Sequence, residues 1–170
     1  WTTAGAYQGY LTLTGGDSAY GPLEETEVSD RFFGTLYSRT LDPAAVPDRI
    51  TVPEVPEGVS GTKDGQKAEL FDYAKLEEKD QYQIFLGGNC GITEITGCGG
   101  EGTVLILKDS FANSFVPFLT RDYSRVILID LRYYPGSVSS LLDSERPDEV
   151  LVLFEMNQFA ASSDLAKLAL

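Results

Sequence analysis

The segment VLILKDSFANSF, residues 104 to 115, runs an apolar stretch into Asp109-Ser110 and then into a helix-like pattern. A serine at a strand-to-helix turn is where several hydrolase folds hold a nucleophile, because the field of a helix N-terminus favours the developing negative charge. Its hydroxyl attacks only when a positioned base takes its proton, and the chain has no histidine. Lys108 is the nearest alternative base. Side chains two apart share a face only while a strand stays regular, and this one ends there, which argues against a Ser-Lys pair. The same dipeptide has a plainer reading, since Asp and Ser are both favoured helix N-caps.

Asn157 offers a second piece of the same chemistry, an amide suited to an oxyanion hole. A turn residue is the plainer alternative. Arg132 and Tyr133 are substrate contacts or ordinary loop residues on the same terms. Cys90 and Cys98, with no histidine, cannot furnish a four-ligand zinc site, so no metal is expected. A disulfide across the Gly-rich bend and two free thiols both remain open.

GCGGEG, residues 97 to 102, matches the dinucleotide pattern G-x-G-x-x-G letter for letter. The pattern works only after a strand and at the start of a helix, where the helix meets the pyrophosphate. Here it precedes an apolar strand, so it reads as a flexible connection and no cofactor is expected.

These residues need elements to position them. TVLILK (103 to 108), RVILIDL (125 to 131) and DEVLVLFEM (148 to 156) read as strands, the first two as apolar as strands buried on both faces. Residues 110 to 123, 137 to 145 and 162 to 170 read as helices between and after them, the first interrupted by Pro117. Alternation at this spacing implies parallel strands with right-handed crossovers. Sites in such sheets lie at the carboxyl ends of the strands, here Lys108-Asp109-Ser110, Asp130 to Tyr134, and Glu155 to Gln158.

The first 102 residues read as loop-rich. Residues 2 to 14 suggest a short helix capped by Thr2 or Thr3, 29 to 40 a strand, and 48 to 58 an edge strand because of its prolines. Residues 59 to 68 suggest a loop or hairpin tip, and 70 to 89 a short helix with an extended piece. The 170 residues are enough for one domain with a proper core. A formal net charge of −13 repels phosphate backbones and anionic lipid, so nucleic acid and membrane-surface partners are not expected. No apolar run approaches a membrane span. The chain opens on WTTAGAY without an initiating Met or a signal peptide, which suggests a processed or truncated product.

FLGGN (85 to 89), LILKDSFANSFVPFL (105 to 119), VILIDLRYY (126 to 134) and SDRFFGTLYSR (29 to 39) together resemble the DHHW protein family. These bacterial proteins are related to SGNH hydrolases and to alginate O-acetyltransferase-like proteins. The resemblance implies an α/β, SGNH- or flavodoxin-like three-layer fold with a parallel sheet. It makes Trp1 the last residue of the Asp-His-His-Trp motif and puts the Asp-x-His pair upstream. It implies Ser110 as nucleophile and Asn157 as oxyanion donor, with Lys108, Glu155 and Gln158 departing from the family pattern. Tyr37, Arg39, Arg132 and Tyr133 become candidate substrate contacts. The expected function is an esterase or O-acyltransferase acting on an acylated sugar or polysaccharide outside the cytoplasm, inactive without the upstream pair. A non-catalytic carbohydrate-binding or scaffold domain on the same fold is the alternative. Oligomeric state is left open.

Overall fold

The computed structural model describes residues 1–16, 21–34, 37, 40 and 42–169. Helix α1 (Thr3–Leu13) is capped by Thr2, whose hydroxyl accepts the Gly5 N–H at 3.1 Å. Its buried face, Ala6, Tyr7 and Tyr10, packs on Phe118, with ring centroids 5.5 and 5.7 Å apart for the two tyrosines. Strands β1 (Glu25–Phe32) and β2 (Asp48–Pro53) then form a separate antiparallel ribbon. The strand expected over 29 to 40 therefore starts earlier and stops at Phe32. Residues 35, 36, 38, 39 and 41 lie outside the described residues.

The main sheet has six strands in the order β4-β3-β5-β7-β6-β8. β3 (Ser60–Lys63) and β4 (Gln66–Ala68) form a hairpin that turns through Asp64 and Gly65, both at positive φ (47° and 80°), the backbone a tight hairpin needs. β5 (Ile92–Thr96) pairs antiparallel with both β3 and β7 (Arg125–Ile129). β6 (Thr103–Lys108) is parallel to β7 on one side and to β8 (Glu149–Leu153) on the other. The parallel arrangement expected of the three apolar strands is thus present, but the whole sheet is mixed. β5 had no place in the sequence reading, and it joins the parallel half to the hairpin.

Alternation along β6 and β7 feeds two cores. Val104, Ile106, Val126 and Leu128 face α1 and the chain after Ser110. Leu105, Leu107, Ile127 and Ile129 face the opposite side, with Val138 of helix α3 (Val138–Glu145). Each such side chain contributes about 1.5–3 kcal/mol on full burial. The expected helix over 110 to 123 is shorter: a 3₁₀ segment, Ser110–Ser114, followed by one turn of α-helix, α2 (Val116–Leu119), with Pro117 in its first turn. The third strand ends at Leu153, not at residue 156, because Glu155 caps a short helix, α4 (Met156–Ala161). The terminal segment Ser163–Ala169 is 3₁₀.

GCGGEG joins β5 to β6, and its glycines serve packing. A Cβ on Gly100 would stand 2.0 Å from the Asp122 carbonyl carbon, and one on Gly97 (φ +74°) 2.3 Å from the Gly58 oxygen. Among the described residues no helix is long and apolar enough to cross a membrane.

Candidate active site

Asp109, 3% exposed, caps the turn that follows β6. Its Oδ1 accepts the Phe111 N–H at 2.8 Å and its Oδ2 accepts the Glu155 N–H at 3.0 Å. One buried carboxylate thus sews the end of β6 to the end of β8. Of the two readings of Asp109-Ser110, capping belongs to Asp109. The Ser110 hydroxyl makes no hydrogen bond among the described residues, and Ser110 lines a cavity of about 700 Å³.

That cavity lies between the carboxyl ends of the sheet and the β1–β2 ribbon. Trp1, Phe32, Tyr82, Phe85 and Phe111 give it an aromatic wall, and Asp48, Arg49, Arg132, Glu155 and Gln158 add polar groups. Trp1 packs against Phe111 with ring centroids 4.5 Å apart, so the start of the chain is at the edge of the serine's own turn. A volume of this size with an apolar wall and a few polar groups is typical of a small-ligand site.

The segment carrying Ser110 is held from two further sides. The Tyr82 hydroxyl lies 3.0 Å from Ser114 Oγ and donates to the Phe111 carbonyl at 3.3 Å. Burial pushes the Tyr82 phenol above its ordinary value, so it stays a donor. From beneath, the Lys108 ammonium donates to Asn113 Oδ1 at 2.8 Å and to Asn89 Oδ1 at 3.0 Å, with Asp130 Oδ2 at 4.0 Å. Burial pulls Lys108 down to about 8, against the opposing attraction of Asp130. Its ammonium is thus spent on two carboxamides and a carboxylate.

Arg132 grips the buried Asp130 in a fork, Nε to Oδ1 at 2.8 Å and Nη2 to Oδ2 at 2.6 Å. The Asp130 hydrogen bond outweighs the opposing burial and raises the Arg132 guanidinium above its ordinary value. The fork uses one edge of the guanidinium and leaves Nη1 for a ligand. Tyr133, 56% exposed, lies under that guanidinium with its ring centroid 5.4 Å away, outside the cavity wall.

Asn157 is not brought to the cavity. It is exposed on α4, and its amide donates to Glu155 Oε1 at 2.7 Å, the carboxylate whose other oxygen caps the helix. The oxyanion role expected of it has no geometric support here. Tyr37 stacks on Phe33, with centroids 4.4 Å apart, and is not part of the cavity wall. Arg39 lies outside the described residues. Cys90 and Cys98 are free thiols, and burial pushes Cys98 up to about 11. Among the described residues no group of three or more His, Cys, Asp or Glu is placed to hold a metal ion. Sequence reasoning offered the capping role of Asp109 from its position at a strand-to-helix junction, and it missed Asn89, Asn113 and Tyr82, which carry no local signal.

No family model matches the sequence, and no curated protein is significantly similar to it. Solved structures are. A DHHW family protein from Eubacterium siraeum DSM 15702 superposes over 98% of this chain with a TM-score of 0.73 and 18% identity. Bacillus cereus PatB1 superposes over 96% of it, with TM-scores of 0.68 for the form with a sulfonyl adduct (19% identity) and 0.67 for the other (18% identity). At such identities the likeness is one of fold, and the fold is the one the resemblance to DHHW proteins implied. The chain spans 60% of the length of the first two solved chains and 62% of the third.

Proposed function

We propose that this chain carries the nucleophilic serine of an SGNH-like esterase or O-acyltransferase that acts on acylated sugars of a cell-envelope polysaccharide, outside the cytoplasm. One observation carries the reading: Ser110 has a hydroxyl left uncommitted by the fold, at the carboxyl end of a central parallel strand, in the wall of a cavity that Trp1 also lines. The polysaccharide and the extracytoplasmic setting rest on the sequence resemblance alone.

In the proposed reaction Ser110 Oγ attacks the ester carbonyl and loses its proton to a histidine of an Asp-x-His pair encoded before Trp1. A residue joined to the Trp1 nitrogen starts at the cavity wall, which favours that source for the base. The tetrahedral oxyanion meets the Ser110 backbone N–H at the head of the 3₁₀ segment, and the free Nη1 of Arg132 stands at the same cavity. Collapse breaks the ester C–O bond, and the leaving alkoxide takes the proton from the imidazolium. A sugar hydroxyl or water then attacks the acyl-serine with the same histidine as base, and collapse breaks the acyl C–Oγ bond as the imidazolium returns the proton to Ser110 Oγ. A sulfonyl adduct, as found on PatB1, is what a sulfonyl electrophile leaves on an activated nucleophile, and it supplies the probe.

The test is labelling of Ser110 by phenylmethylsulfonyl fluoride, read by mass spectrometry, in the 170-residue chain and in the protein extended upstream. Labelling of the extended protein alone, lost in Ser110→Ala, is the expected result. Equal rates in both would remove the upstream base from the mechanism. The aromatic wall favours a second reading, a non-catalytic glycan-binding domain. Glycan binding by the extended Ser110→Ala protein, with no turnover by the unsubstituted one, would establish it.

A further inference from the structure

We propose that Lys108 is a positioning residue, which fixes the Ser110–Ser114 segment against Asn89 and so sets where the Ser110 hydroxyl stands in the cavity. The inference rests on the nucleophilic reading of Ser110.

The geometry is that of a chord across a turn. Lys108 is the last residue of β6, and its ammonium reaches forward to Asn113 Oδ1 at 2.8 Å, in the middle of the segment that begins with Ser110. The same ammonium donates to Asn89 Oδ1 at 3.0 Å, and Asn113 Nδ2 lies 3.3 Å from that oxygen. Asn113 is 1% exposed, so its orientation is set by these partners and not by water. Three pieces of chain are thereby tied at one point: the end of β6, the serine segment, and the loop before β5.

Stability does not explain a lysine here. The inner positions of β6 are buried and apolar, and Lys108 itself is 2% exposed. A cation at such a place costs desolvation, and the carboxylate nearest to it, Asp130 at 4.0 Å, is already forked by Arg132. The charged or titratable groups that act on Lys108 are Asp130, Cys90, Arg132 and Asp109. An apolar side chain of similar length would remove the desolvation cost of the cation, which offsets the donor lost to the buried Asn113 oxygen. What it would not do is hold Asn113. A loosened segment moves Ser110, and a misplacement of about 1 Å at a reacting atom costs on the order of a hundredfold in rate.

Lys108→Met, Asn113→Ala and the double variant, made in the upstream-extended protein, separate this role from a structural one. The thermal midpoint of Lys108→Met should move little, the relief of the buried charge offsetting the donor lost to the Asn113 and Asn89 oxygens. The rate of Ser110 sulfonylation should fall by on the order of tenfold or more in each single variant and no further in the double. Backbone amide resonances of residues 110 to 114 should titrate with a midpoint at about 8, and lose that titration in Lys108→Met. Unchanged labelling of Lys108→Met, or a loss that follows a fall in its melting point, would overturn the proposal. Should Ser110 label in no form of the protein, the nucleophilic reading fails, and the amide resonances of residues 110 to 114 still decide: displaced together in Lys108→Met and in Asn113→Ala, they establish that Lys108 sets this segment through Asn113; unmoved, they remove that role too.

Discussion

Asp109 Oδ2 accepts the backbone N–H of Glu155 at 3.0 Å, and through that bond the turn bearing Ser110 is fastened to the strand end 46 residues further on. Both oxygens of the carboxylate are used, and the group is almost fully buried. Its loss leaves two half-buried N–H groups without acceptors, a costly kind of deletion. Asp109→Ala should therefore lose about 2–4 kcal/mol in urea denaturation. Asp109→Asn, which keeps one acceptor oxygen, should lose about half as much. Equal stability for all three proteins would mean that the turn is held by other contacts.

Tyr82 holds the far end of the same segment. Ser114 is 0% exposed, and its hydroxyl has the Tyr82 phenol at 3.0 Å. Tyr82→Phe strands that hydroxyl and the Phe111 carbonyl, at a cost of about 1–2 kcal/mol. In a double-mutant cycle with Ser114→Ala, the second substitution should cost markedly less once the first is made. Additive losses would show that the two side chains do not act as a pair.

The strands that carry the site were legible because of what buries them. β6 and β7 are covered on both faces, so their residues form near-continuous apolar runs. β5, ITEIT, alternates over only five residues beside a Gly-rich stretch, and its assignment depends on β7, which lies some thirty residues away. Ser110 was legible as a position at a strand's carboxyl end. Its supports were not: Asn89 is 19 residues before Lys108 and Tyr82 is 32 before Ser114, separations at which sequence pattern carries no signal. Asn157 shows the opposite failure. Its type and place suited an oxyanion donor, but the Glu155 side chain caps α4 and takes the Asn157 amide with it.

The GCGGEG stretch yields a prediction of the same kind. A nucleotide loop would need its glycines for phosphate approach. Here Gly100 is needed because Asp122 backbone atoms would lie within 2.1 Å of a Cβ. Gly100→Ala should force the loop apart and lower the melting temperature, by about 1–3 kcal/mol of stability or more. Calorimetry with and without added dinucleotide should give the same midpoint for the unsubstituted protein. A dinucleotide-dependent rise would restore the binding role.

Lys108 gives a pH dependence of definite sign. The unfolded lysine keeps its proton up to its ordinary 10.5, while the folded one releases it above about 8. Between those values the unfolded state binds more protons, so stability rises with pH, and below about 8 the full cost of burying the cation is present. At about 1.4 kcal/mol per pH unit the change is at most roughly 3 kcal/mol. Tyr82 and Tyr123, whose phenols burial holds above their ordinary values, lose stability above about pH 10, but they do so with or without Lys108. The difference between the unsubstituted protein and Lys108→Met therefore isolates the lysine. Urea midpoints measured from neutral pH to about pH 10 should show the unsubstituted protein gaining on the variant. A gap that stays constant would mean that Lys108 keeps its proton throughout, held by Asp130 and the two asparagines more firmly than its burial opposes.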